Sequence, residues 1–279
     1  MWGALIKPLI NVQTSPRRGA AGDSADMYST VQGIGGPTTI RDRDRYLLAF
    51  VLLLAALSGA SVYLKNRELT AKPPRAIILD ALNTTGGPGF TVDCTSLLQS
   101  HGYAVDVHEG ADVTVETVKG LRGYRIMVLR VHSGVFDGGA WLFTGEEYSS
   151  SEHVVEQLSG EAHMSRNPND PRLMFAVGSG FVGHYLGELD GCLVFLMGCD
   201  GLAVDDLASA FCGAGASAVV GWGGAVTLGE TDEAVLFVLG EVLEGASLGA
   251  AVDDANALGG YGSPILVYPE AGRAWSAGG

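Results

Sequence analysis

Five short runs of apolar residues limit the folds open to this chain: "AIILDAL" (Ala76–Leu82), "RIMVLRVH" (Arg125–His132), "LVFLMGC" (Leu193–Cys199), "ASAVVGW" (Ala216–Trp222) and "PILVYP" (Pro264–Pro269). A strand that is apolar on both faces has no side to turn to water, so it belongs inside a sheet covered on both faces. Between the runs lie segments with helical spacing. "TVDCTSLLQSHG" is bounded by Thr91 as N-cap and Gly102 as stop, and "DVTVETVKGL", "VDDLASAFCGAG" and "DEAVLFVLGEVLEG" follow. "YAVDVHE" alternates and reads as a further strand. Strands alternating with helices give an α/β fold with a largely parallel sheet. "GGAWLFTGEEYSS" (138–150) breaks this rhythm as an irregular excursion or hairpin, and so does the stretch 166–191 before the Cys199 run.

This α/β body begins at Ala76 and extends to 279. Residues 1–45 show no sustained period and read as a flexible tail. Tyr46–Leu64 is an uncharged 19-residue run with tyrosines near both ends, long enough to span a bilayer once as a transmembrane helix. Residues 65–75, ending in Pro-Pro-Arg, read as a stiff linker. Three arginines precede the span and four Lys/Arg follow it closely, so flanking charge leaves the topology open. Counting the whole tail, with Lys7, Arg17 and Arg18, tips the tail inward and the body to the extracytoplasmic side, where the sequon at Asn83 would be usable.

Residues 1–75 carry ten Lys/Arg against five Asp/Glu, whereas residues 76–279 carry seven against 26. So acidic a body repels phosphate, which argues against nucleic-acid binding. It suits a cationic substrate, or simply a well-solvated surface. The four cysteines form no CxxC pair, and the histidines show no HxxxH spacing, so no metal or other cofactor is expected. Cys94, Cys192 and Cys212 lie inside apolar patterns and read as small buried hydrophobes. His101 reads as a helix cap, and Glu146 and Glu147 as solvated loop residues.

In an open parallel sheet, ligands bind at the carboxyl ends of the strands. Three of the runs end in functional groups, Asp80, His132 and Cys199, which parallel strands would bring to one edge. A thiol is a useful nucleophile as thiolate, and a neighbouring histidine can take its proton. A helix starting near Ala203 would also favour the anion. Gly134 and Gly201, which follow the two reactive residues, would allow tight turns.

"VLRVHSG" and "VFLMGCDG" resemble the two signature stretches of the caspase, gingipain and legumain group of cysteine peptidases, which includes the CHAT domains. There, one apolar strand ends in His-Gly and a later one in Ala/Gly-Cys. "DDLASAFCGAGASAVVGW" is similar to the helix and strand that follow the cysteine in that group. The resemblance covers roughly residues 76–269. It implies a caspase-like three-layer α/β sandwich, with Cys199 as nucleophile and His132 as general base or acid. Backbone N–H groups at Ser133 and Gly134 would hold the oxyanion. One departure is that Ser133 stands where the group has glycine directly after histidine. Asp80, at the end of the first strand, takes the place of a residue that selects Arg or Lys in the substrate; Asp200 is a second candidate, and Trp222 could wall the pocket.

The expected function is therefore a membrane-anchored cysteine endopeptidase acting on a peptide or protein substrate after a basic residue. Two alternatives stay open: a catalytically inactive caspase-like module that binds a peptide or protein partner at the same cleft, and a different α/β hydrolase or transferase in which Cys199 is incidental.

Overall fold

The computed structural model describes residues 42–70, 72–86, 89–166 and 171–278, with the backbone alone for 42–44, 48 and 61–70. The chain divides into two units between Leu69 and Thr70.

The first unit carries helix α1 (Asp42–Thr70). Its described side chains from Arg45 to Ala60 are all exposed. Among the described residues no helix is long and apolar enough to cross a membrane; of the expected span, the side chains at 48 and 61–64 lie outside them. The expected tail lies outside the described residues up to residue 41. The expected linker is helical at its start, since α1 runs on to Thr70. Lys65–Leu69 contains good helix formers, and the chain leaves the helix before Pro73 and Pro74, which cannot continue one.

The second unit runs β1 (Arg75–Asp80), α2 (Asn83–Gly86), α3 (Gly89–Ser100), β2 (Ala104–Glu109), α4 (Val115–Lys119), β3 (Ile126–Arg130), β4 (Ser133–Phe136), β5 (Gly139–Glu147), α5 (Val154–Leu158), β6 (Ala162–Arg166), β7 (Leu173–Gly178), α6 (Ser179–Tyr185), β8 (Leu193–Leu196), α7 (Asp206–Gly213), β9 (Ala218–Trp222), α8 (Leu228–Leu243), α9 (Leu248–Leu258) and β10 (Ile265–Tyr268). It is an α/β fold. The main sheet has the order β10-β9-β8-β3-β1-β2, parallel except for β10. Alternate residues of its strands feed two cores. Ile77, Leu79, Met127, Leu129, Val194 and Leu196 pack with α4, α6, α7 and the second sheet. Ile78, Ile126, Val128, Leu193, Phe195 and Val220 pack with α3, α8 and α9. This double burial is why the runs at β1, β3, β8 and β9 are apolar without alternation; β10, at the edge of the sheet, is buried only at Ile265.

The excursion between β3 and β8 forms a second, antiparallel sheet in the order β4-β5-β7-β6. Its inner face joins the first core through Ala140, Leu142, Ala162, Phe175 and Val177.

Several local expectations shift. Thr91 lies inside α3, and its hydroxyl donates to Asp80 (2.6 Å) instead of capping the helix. The helix expected over 112–121 shortens to α4, capped by Thr114, whose hydroxyl accepts from the Thr117 amide. His101 does cap its helix, its ring lying 3.0 Å from the Leu97 carbonyl. Cys94 and Cys192 are buried, but Cys212 is only partly so.

Candidate active site

The main-sheet register brings His132 and Cys199 to the ends of neighbouring strands. Leu129 of β3 pairs with Leu196 of β8, and three positions further along each chain stand His132 and Cys199. Both lie beyond the regular strands, which end at Arg130 and Leu196. The contact persists past those ends: the Met197 amide donates to the Leu129 carbonyl at 3.0 Å, and the Ser133 hydroxyl donates to the Cys199 carbonyl at 2.6 Å.

Gly198 makes this approach possible. A Cβ there would stand 2.6 Å from both the Val131 carbonyl oxygen and the Ser133 amide nitrogen, and closer still to the Ser133 hydroxyl. The glycine of the "GC" pair is thus required by backbone proximity.

On its other flank the cysteine loop is fastened to the segment after β9. The Asp200 amide donates to the Gly224 carbonyl (3.1 Å) and the Leu202 amide to the Trp222 carbonyl (2.9 Å). The Cys199 thiol lies 3.4 Å from both the carbonyl oxygen and the amide nitrogen of Val226. Asp200 adopts φ +55°, a left-handed conformation that aspartate tolerates, so the chain turns sharply just after the thiol. The half-buried His132 lines a small cavity with Ala81, Leu82, Thr85, Phe143 and Met174. The two residues therefore sit at neighbouring strand ends, with the thiol against the β9 side and the imidazole bordering a cavity on the β1 side.

The other expected site residues separate. Asp80 is not a substrate carboxylate. It is fully buried, and Nη1 of Arg130 reaches both its oxygens at 3.0 Å. It also accepts the Leu82 amide (2.9 Å) and the Thr91 hydroxyl (2.6 Å). Arg130 in turn donates Nε and Nη2 to Asp232 of α8, each at 2.8 Å. Burial works against the guanidinium charge, but Asp232 and Asp80 together outweigh it and raise the pKa of Arg130 above its ordinary value. With no exposure and its oxygens taken up by Arg130, Leu82 and Thr91, Asp80 is not open to a basic substrate.

Trp222 borders only a small apolar cavity inside the core, with Phe195, Val235 and Ile265, and does not face the strand-end cleft. It is buried, and its indole donates to Thr231 (2.9 Å), whose hydroxyl donates to the Met197 carbonyl (3.1 Å). The helix expected near Ala203 begins at Asp206, whose carboxylate accepts the Ala140 amide at 3.1 Å. Asp200 remains half-buried beside Cys199. Of the oxyanion candidates, Ser133 commits its hydroxyl to the cysteine loop, while Gly134 has open space where a side chain would project. Glu146 is not simply solvated: it accepts the Val115 amide (2.8 Å) and lies 2.7 Å from the His153 ring. Asn83 of the sequon is half-buried, with its Oδ1 shielded from water, and Thr84 and Thr85 are exposed.

Sequence reasoning missed Arg130 and Asp232. The signal was available, because a charged residue inside "IMVLRVH" has to be paired once that run is a buried strand.

A scan against protein-family models finds no match, and a search of curated proteins finds none either.

Proposed function

We propose that the chain is a cysteine hydrolase of peptide bonds, with a caspase-like body and Cys199 and His132 as its reacting pair. The observation that supports this reading is the pairing of β3 with β8 up to Leu129 and Leu196, which leaves His132 and Cys199 each three residues further on, at the carboxyl edge of a parallel sheet. In this scheme His132 takes the thiol proton, the sulfur adds to the substrate carbonyl, and the proton passes to the leaving amine. A thioester remains, and water hydrolyses it. Backbone N–H groups at Ser133 and Gly134 would hold the oxyanion. The expected preference for a basic residue loses the support of Asp80 and rests on Asp200 alone.

The helix α1 we propose as a membrane anchor. An uncharged run with outward apolar side chains such as Tyr46, Phe50 and Leu54 needs an apolar surround. Retention in the pellet after alkaline carbonate extraction is the expected behaviour, and release into the supernatant would rule the anchor out.

The hydrolase reading is tested by turnover of a fluorogenic peptide library. Cys199→Ala should abolish cleavage, and His132→Ala should lower it by about 10²–10⁴-fold. Cleavage that survives Cys199→Ala would remove the thiol from the chemistry. One observation favours a second reading, a peptide-binding module without catalysis: the thiol already has hydrogen-bonding partners in the Val226 main chain. Peptide binding with no turnover by the wild-type chain would select that reading.

A further inference from the structure

The second sheet turns a face away from the core, and that face is aromatic. Opposite residues of an antiparallel pair share a face. The register therefore sets Gly134, Trp141 and Gly178 in one row, with Phe143, Ala176 and His163 in the next. The indole of Trp141 lies over Gly178, where a Cβ would come within 2.9 Å of the ring. It meets His163 edge-to-face at 4.6 Å, and its Nε1 donates to the Phe136 carbonyl at 3.1 Å. Small residues below and rings around them leave an open trough of about 230 Å³. None of the described residues lining it carries a carboxylate, in a body with 26 acidic and seven basic residues.

Two further features connect this trough to the site. Phe143 borders both the trough and the cavity of His132, with the two rings 6.4 Å apart. β4, which follows directly on His132, is the terminal strand of its sheet, so among the described residues its outward backbone groups pair with no other strand of that sheet. Such an edge can accept an extended peptide as an added strand.

We propose that the β4 edge and this trough together form a substrate subsite for an extended peptide carrying a large aromatic or aliphatic side chain. A peptide pairing with β4 places its residue opposite Gly134 on the trough face, over Trp141 and beside Phe136. Main-chain hydrogen bonds hold the strand, and the rings select the side chain. Arg166 in the lining, with no carboxylate among the described lining residues, sets this selection against Arg or Lys at that position. The inference rests on the hydrolase reading for its use of the peptide as substrate, and on the geometry of the second sheet for the binding itself.

The test is fluorescence anisotropy of labelled heptapeptides of an otherwise Gly/Ala sequence, with Phe, Gly or Lys at the central position, on the full-length Cys199→Ala chain in detergent. The Phe peptide should bind about tenfold or more tighter than the other two. Gly134→Leu, placed where no atom lies within 4 Å of the new Cβ, fills the trough without disturbing the core and should erase that preference. Trp141→Ala should weaken it. Equal affinity for the three peptides, or a preference that survives in a Gly134→Leu chain with unchanged melting, would overturn the subsite. Binding with the expected preference but no cleavage by the wild-type chain leaves the subsite standing and removes the hydrolase. Cleavage with no aromatic preference does the reverse.

Discussion

Asp80→Asn separates the two roles that its carboxylate could have at the end of β1. In the folded chain that carboxylate accepts two hydrogen bonds from Arg130, one from the Leu82 amide and one from the Thr91 hydroxyl, with no exposure to water. Asparagine keeps the shape, removes the charge and turns one acceptor into a donor that faces other donors. Arg130 would then keep Asp232 alone as counter-charge. Asp232 still balances the Arg130 charge, so the cost stays below that of an uncompensated buried charge and comes from the buried donors left without an acceptor, about 1–3 kcal/mol. Asp232→Asn, at a side chain 22% exposed, leaves the Asp80 pair intact and should cost about 1–2 kcal/mol. Because both carboxylates act on one guanidinium, the double variant should depart from additivity. Urea denaturation of the full chain, followed by far-UV circular dichroism, reads all three. A loss below about 1 kcal/mol for Asp80→Asn, together with a changed preference for basic peptides, would refute the internal-triad account and return Asp80 to the substrate pocket.

Gly198→Ala drives a methyl group into the backbone of Val131 and Ser133, so the ends of β3 and β8 must part. We expect a melting temperature lower by about 5 °C or more, or insoluble protein; an unchanged melt would contradict the close approach. Burial pushes the Cys94 and Cys192 thiols up to about 12, so in the native chain at pH 8 iodoacetamide should spare both and modify the partly exposed Cys199, as peptide mass mapping would show. Glu156 is held below the usual carboxylate range, chiefly by the hydrogen bond from Lys119, with burial opposing and the Tyr185 hydroxyl adding to it. Its stabilising contribution is therefore present above pH 4.5, the ordinary value, and is lost as pH falls through the lower folded-state value. Glu156→Gln should lower stability at pH 7 and flatten that acid limb, and parallel pH–stability curves for the two proteins would rule this out.

The main sheet was legible because burial on both faces leaves a mark in the sequence: the runs around Ile78, Val128, Phe195 and Val220 lack alternation. The second sheet was not, because β4 and β6 are short edge strands with exposed residues such as Phe136 and Met164 and carry no such run. Strand tips were legible only to within two or three residues. His132 and Cys199 lie past the last ladder bonds, where their side-chain directions depend on the turns made by Ser133 and Asp200. Asp80 shows where reading a terminus in isolation fails. A carboxylate at a strand end serves equally for a ligand or for a neighbouring strand, and only the register with Arg130 decides between them.

The central claim is that Cys199 and His132 act on one substrate. The most direct measurement is intact-protein and peptide mass spectrometry after exposure of the full chain to a peptidyl acyloxymethyl ketone with a Phe-containing recognition sequence. The account predicts a single adduct, on Cys199, formed at least about tenfold more slowly in His132→Ala. An adduct that forms at the same rate without His132, or that lands on another residue, would contradict it.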